Sequence, residues 1–209
     1  MEYQFIKLTE EYFDEYLKLS MGLSDHLQNL QTFEDERIMW QRKHFFEWND
    51  EFAYLCMYNG EAVGFIACCN YHCLSSSYCD SDGIGIISDI YVKRDHQNGG
   101  ENAYALLQLG LSEMIENGKN KAIMMVQGDN PNKVFHFAMA DTLVEESTSK
   151  RRDGSITEDY VLLISDLEKL QNTSKFALLK KVTKIIRGGL TPESANLKKE
   201  NIFEQKEVE

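Results

Sequence analysis

Residues 87–115, ISDIYVKRDHQNGGENAYALLQLGLSEMI, restrict the fold more than any other stretch of this chain. Residues 87–92 are β-branched or aromatic at most positions, as in a buried strand. Gln97-Asn98-Gly99-Gly100 is a turn signal, and its two glycines permit positive φ and close backbone approach. Ala103, Leu106, Leu107, Gly110, Leu111, Met114 and Ile115 then recur at helical spacing, and Asn117-Gly118 ends the pattern. Strand, glycine turn and helix in that order make an anion-binding joint. The helix start has unpaired N–H groups and partial positive charge, and glycine lets a phosphate reach them.

Two common phosphate loops do not fit. No G-K-S/T follows the glycines, so the stretch is not a P-loop, and G-x-G-x-x-G, the dinucleotide signature, is absent.

A third pattern does fit. Ile90-Tyr91-Val92 followed by Gln97-Asn98-Gly99-Gly100-Glu101-Asn102 resembles the central motif of the GNAT N-acyltransferases, Q/R-x-x-G-x-G/A after a strand ending in a hydrophobic residue, any residue and Val. Two positions differ: Asn102 replaces the last small residue, and Glu101 puts a carboxylate beside the loop. The resemblance implies an N-acetyltransferase with acetyl-CoA as cosubstrate and no metal. The acceptor would be a small amine or a lysine-containing substrate. Backbone N–H groups of Gln97, Asn98, Gly99, Gly100, Asn102 and Ala103 would hold the pyrophosphate. Pantetheine would lie along Ile90, Tyr91 and Val92, with a backbone N–H there polarising the thioester carbonyl. Asn130 and Phe137 would also border the cosubstrate.

Acetyl transfer to an ammonium needs a base, and the leaving thiolate needs a proton. In the GNAT pattern the base is a carboxylate on the central strand, the place of Asp89 here. The acid is a tyrosine in N-x-x-A-x-x-x-Y; residues 130–137 carry Phe137 at that place, which has no proton to give. His136 is adjacent, but helical neighbours lie about 100° apart, so it is expected at the surface. These departures define a second class: a GNAT-fold protein, catalytically weak or inactive, acting as a CoA-binding or protein-interaction module.

The rest of the pattern gives an α+β fold, a mixed central sheet flanked by helices in the order β-α-α-β-β-β-α-β-α-β-β with a C-terminal helical extension. Residues 3–8 read as a strand with Tyr3, Phe5 and Lys7 on one side. Thr9 reads as the cap of a helix through Leu19, with residues 21–31 looser. Thr32 opens a second helix, whose aromatics would border an acceptor groove. Strands at 54–58 and 62–69 flank the hairpin signal Asn59-Gly60, and residues 74–83 form a mobile loop. Residues 122–127 are a buried strand. Asn130 and Pro131 then read as the cap and first residue of a helix through Met139. Strands at 143–147 and 159–164 are joined by a charged loop at 148–158.

Charge narrows the partners. Residues 167–209 carry nine Lys/Arg against six Glu, so the first 166 residues of this −12 chain hold −15. Such a body repels nucleic acid and favours cationic acceptors, with Glu145 and Glu146 expected near the groove. The five cysteines are odd in number and clustered, and Cys68 and Cys69 should face opposite sides of a strand. Free thiols are therefore expected rather than disulfides or a metal. No apolar run reaches membrane length, and the acidic, aromatic start is unlike a signal peptide, so a cytoplasmic location is expected.

Two units are expected: residues 1–166 as the acyltransferase domain, and residues 167–209 as a basic amphipathic helix with a disordered tail. The helix would carry Phe176, Leu179, Val182 and Ile186 as its apolar stripe. That stripe is expected to dock on its own body or in a homodimer, not on a membrane.

Overall fold

The parity of the strands sets the architecture. The computed structural model describes residues 2–27, 35–70, 83–128, 130 and 132–200. Among them one mixed sheet holds β1 (Tyr3–Lys7), β2 (Glu51–Tyr58), β3 (Glu61–Cys69), β4 (Ile84–Val92), β5 (Lys121–Gln127), β6 (Thr142–Lys150), β7 (Ile156–Ile164) and β8 (Lys198–Lys199). Their spatial order is β1-β2-β3-β4-β5-β7-β6-β8. Along β3, Phe65 and Ala67 enter one hydrophobic cluster while Ile66 and Cys68 enter the other. Both faces are thus apolar, and each takes a helical layer. On one side lie α1 (Phe13–His26) and α2 (Asp35–Phe46). On the other lie α3 (Glu101–Glu116) and α4 (Lys133–Met139). The expected α+β order holds.

β4 and β5 are the parallel pair, reached through α3. Their pairing covers only Ile84 to Ile87 against Lys121 to Met124. Beyond that point β4 continues on β3 and β5 continues on β7, so the two strands part toward their C-terminal ends. Gly64 serves the same region: a Cβ there would sit 2.8 Å from the Tyr91 carbonyl oxygen, so a side chain would push β3 from β4.

Several boundaries differ from expectation. β2 starts at Glu51 rather than residue 54. Thr9 makes no side-chain cap; it precedes a 3-10 turn, and α1 runs unbroken to His26 through the stretch expected to be looser. Burial of Leu23 beside Tyr16 outweighs its weak helical signal. The charged segment expected as a loop is mostly strand: β6 and β7 pair as far as Lys150 with Ile156, because backbone ladder bonds tolerate alternating charged side chains. Residues 190–200 are ordered rather than loose, with β8 adding to the β6 edge at Thr142 and Leu143. Thr32, Cys73, Cys79, Pro131, the loop at 74–82 and residues 201–209 lie outside the described residues.

The C-terminal segment docks on the body, but by another face. A short helix α5 (Leu167–Gln171) packs on α3, and α6 (Lys175–Arg187) packs on α4. Leu178, 1% exposed, and Ile185 join the main core, while Phe176 is 77% exposed and Ile186 also faces solvent. The buried stripe runs Leu178, Val182, Ile185: Val182 lies in it as expected, while Leu178 and Ile185 take the places expected for Leu179 and Ile186, each one residue earlier. Ser174 caps α6 by accepting from the Ala177 N–H at 3.2 Å. No described helix is long and apolar enough to cross a membrane.

Candidate functional site

The parted strands open a cavity of about 400 Å³, lined by Ser88, Asp89 and Ile90 of β4 and Met125, Val126 and Gln127 of β5. Register explains its chemistry. Asp89 pairs with Ala67, and Glu51 pairs with Cys69, two residues along the same strand. Paired antiparallel residues share a face, so Glu51, Ala67 and Asp89 look the same way. Ala67, being small, leaves the floor open between the two carboxylates. Tyr16 of α1 and Arg37, Trp40 and Gln41 of α2 form the opposite wall. The aromatic helix expected beside a groove does border it, through Trp40.

Both carboxyls are pushed up by burial. Asp89 rises to about 7, with the Arg37 guanidinium pulling the other way, and Glu51 rises to about 8, aided by Cys69, Asp50 and Asp89. A carboxyl near 7 changes charge at neutral pH and can take up a proton. The Tyr16 phenol, buried and facing both carboxylates, is held well above its usual range; it accepts from Gln41 Nε2 at 3.0 Å. Across the cavity Asp159 lies 3.2 Å from Arg151, an ion pair with a buried guanidinium.

Glu51 was not visible as a site residue, because the strand pattern begins at residue 54 and the parity that aims Glu51 inward needs the register to β3. Glu145 and Glu146, expected near the groove, do not line the cavity; the Glu146 carboxylate lies 3.5 Å from Lys199.

The loop before α3 is left-handed through three residues: Asn98 at φ +46°, Gly99 at +59° and Gly100 at +87°. The Gly100 N–H donates to the Gln97 carbonyl at 2.8 Å, and Gln97 Nε2 lies 3.5 Å from the Val92 carbonyl. Asn102, the first departure from the motif, is buried and donates to the His96 carbonyl at 2.7 Å. Its side chain holds the approach to the loop in place of the usual small residue. Glu101, the second departure, pairs with Lys175 from the start of α6. Leu179 of α6 stands 3.8 Å from where a Gly100 Cβ would be. Ala103 packs on the core below.

Asn130 lines the cavity, but α4 begins three residues after it. Its Oδ1 accepts from the Asn132 N–H at 2.8 Å, a local turn that delays the helix. Phe137 is buried, edge-on to Tyr160 at 5.2 Å. His136 reverses expectation: it is 7% exposed and lines the cavity. The surface expected for it is covered because α4 sits between the sheet and α6. Ile90 and Val92 are buried and Tyr91 half-buried along β4. Cys56, Cys68 and Cys69 are buried thiols outside any disulfide, and Cys68 and Cys69 enter different clusters, as strand parity requires.

Comparison with known proteins follows the same geometry. The family model described as "Acetyltransferase (GNAT) family" matches residues 20–136, more than half of the chain. No curated protein matches it. Among solved structures, an N-acetyltransferase from Staphylococcus aureus Mu50 aligns at TM-score 0.61 with 18% identity, over 80% of this chain and 99% of that one. The putative acetyltransferase yncA from Salmonella typhimurium, with its cofactor acetyl-CoA, aligns at TM-score 0.61 with 14% identity, over 78% and 93%. A chain of the NatC complex bound to Gag peptide and CoA aligns at TM-score 0.59 with 16% identity, over 79% and 99%.

Proposed function

The chain belongs to the acetyltransferase (GNAT) family, and on that premise we propose that it moves an acetyl group from acetyl-CoA to a primary amine. The observation that carries this reading is the parting of β4 from β5, which opens the cavity at the level of Asp89. In this reading the loop from Gln97 to Ala103 takes the pyrophosphate, and the thioester enters between the strands beside Ile90, Tyr91 and Val92. Asn130 borders it from the β5 side, whereas Phe137, expected there, is buried behind Tyr160. The acceptor enters from the α1–α2 side, past Trp40. Asp89 removes the ammonium proton, and the free amine attacks the thioester carbon.

Glu51 and Asp89 favour a cationic acceptor, a small amine or a lysine-bearing peptide. The deciding experiment is calorimetric titration with acetyl-CoA, followed by an amine panel with release of CoA thiol as readout. Micromolar binding with turnover on an amine is expected. No acetyl-CoA binding would sink the reading, and binding without turnover would favour the interaction-module class.

Glu101 supplies a further prediction. Its carboxylate neutralises Lys175 and stands beside the expected pyrophosphate. Glu101→Gln frees the lysine and removes one negative charge at a helix start, worth about 0.5–1 kcal/mol. CoA should then bind roughly two- to fivefold tighter by calorimetry. Weaker binding would show that the carboxylate helps to hold the loop. The Glu101–Lys175 pair is half-exposed, so little change in stability is expected from losing it.

A further inference from the structure

Phe137 leaves the family's acid position empty, yet a proton carrier lies one residue away. We propose that His136 is a catalytic residue, a proton shuttle from the acceptor nitrogen to the leaving sulfur; the inference rests on the acetyl-transfer reading.

The geometry defines its protonation. His136 Nδ1 lies 3.1 Å from the Asn132 carbonyl oxygen. A carbonyl only accepts, so Nδ1 carries the hydrogen, and the neutral ring has its lone pair on Nε2. Nδ1 is thus held by the backbone, which leaves Nε2 as the ring nitrogen available to the cavity; the residue is 7% exposed and lines the cavity that Asp89 also lines. Burial lowers the imidazole pKa, and the Asn132 carbonyl only partly offsets this, so the ring is neutral at pH 7.

The charged and titratable groups sharing the cavity are Glu51, Asp89, Arg37 and Asp159, with the Tyr16 and Tyr160 phenols; Asp159 is paired with Arg151. Tyr160, the other proton donor on that wall, already donates to Glu158 at 2.6 Å.

Transfer to an alkylammonium involves two protons. Asp89 takes the first, which leaves a free amine. As the C–N bond forms, the nitrogen of the tetrahedral intermediate becomes positive and still carries the second. His136 Nε2 accepts that proton and gives it to sulfur as the C–S bond breaks. The products are the amide and the CoA thiol, and the proton on Asp89 passes to water, so atoms and charge balance. A neutral imidazole suits this order better than a tyrosine, since it accepts before it donates.

The test uses the full chain, acetyl-CoA and butylamine as the probe acceptor. Thiol release gives kcat and KM, and calorimetry gives acetyl-CoA affinity. His136→Gln and His136→Ala should each lower kcat about 10²-fold or more. Acetyl-CoA affinity and the melting temperature should stay close to those of the parent protein. Imidazole in the buffer should restore turnover to His136→Ala but not to His136→Gln, whose side chain fills the space. If His136→Ala does not fold, His136→Gln decides by its kcat alone.

Unchanged kcat in His136→Gln would overturn the proposal. So would a loss of kcat matched by an equal loss of acetyl-CoA affinity, or a folded His136→Ala that imidazole does not rescue. In these cases the parent protein still transfers acetyl groups, so only the role of His136 falls. A parent protein that binds acetyl-CoA but transfers nothing to butylamine or to any amine of the panel removes both.

Discussion

Asp89→Asn is expected to lower acetyl transfer by about 10²–10⁴-fold, the usual contribution of a positioned general base. The same variant should melt at a higher temperature than the parent at pH 8. The two effects have one cause. Burial raises the folded-state carboxyl to about 7, whereas an unfolded aspartate titrates near its ordinary value of about 3.9. The folded chain therefore holds this proton more tightly than the unfolded chain. Stability from this group is full below the unfolded pKa, falls as pH rises between the two values, and is gone above about 7.

Asparagine removes the ionisation and with it that loss. The gain in melting temperature should be present at pH 8 and vanish near pH 4. The parent's kcat should rise with pH through about 7 as Asp89 deprotonates, and the variant should lack that limb. Calorimetry across pH and a pH–rate profile read both. A variant that keeps its activity, or that loses stability at pH 8, would rule out a buried base at this position.

Removal of residues 167–209 is expected to prevent stable folding. Leu167, Leu170, Leu178 and Ile185 all belong to the main core, against α3 and α4. Truncating one buried leucine or isoleucine costs about 2–5 kcal/mol, and a domain of this size has only about 5–15 kcal/mol in total. Losing all four, at about 8–20 kcal/mol, matches or exceeds that margin. Leu178→Ala alone should lower the melting temperature by roughly 4–20 °C, at about 2–4 °C per kcal/mol. Phe176→Ala, on the exposed side of the same helix, should change it little. Equal effects from the two substitutions would contradict the docked orientation of α6. A shortened chain that melts like the parent would mean that the segment adds nothing to the core.

The order of elements was legible because strong local signals carry it: the β-branched run at 87–92, the paired glycines and the α3 stripe. What stayed hidden depends on contacts between distant segments. Glu51 points into the cavity because of its register with Cys69, and no local pattern encodes a register two strands wide. His136 was expected outside because a helical wheel assigns faces from one helix alone, and α6 covers α4 from the side the wheel treats as solvent. Two positions of the α6 stripe, Leu179 and Ile186, were misread by one residue for a related reason. Two apolar rows exist on that helix, and only the shape of the α4 surface selects Leu178 over Leu179. Asn102 looked like a decayed motif position, whereas its amide closes on His96.

Positions 101 and 175 are 74 residues apart, yet they hold one electrical balance. Scored alone, Glu101 counts as damage to the loop; scored with Lys175, the local charge is zero. The identity of the loop is therefore distributed over two segments, and the second lies beyond the stretch, residues 20–136, by which the family is recognised. A double-mutant cycle on Glu101 and Lys175 would express that dependence as a coupling energy. Exchanging the two charges should preserve what either reversal alone removes. Substitutions in the tail can thus retune the loop without altering any residue of its motif.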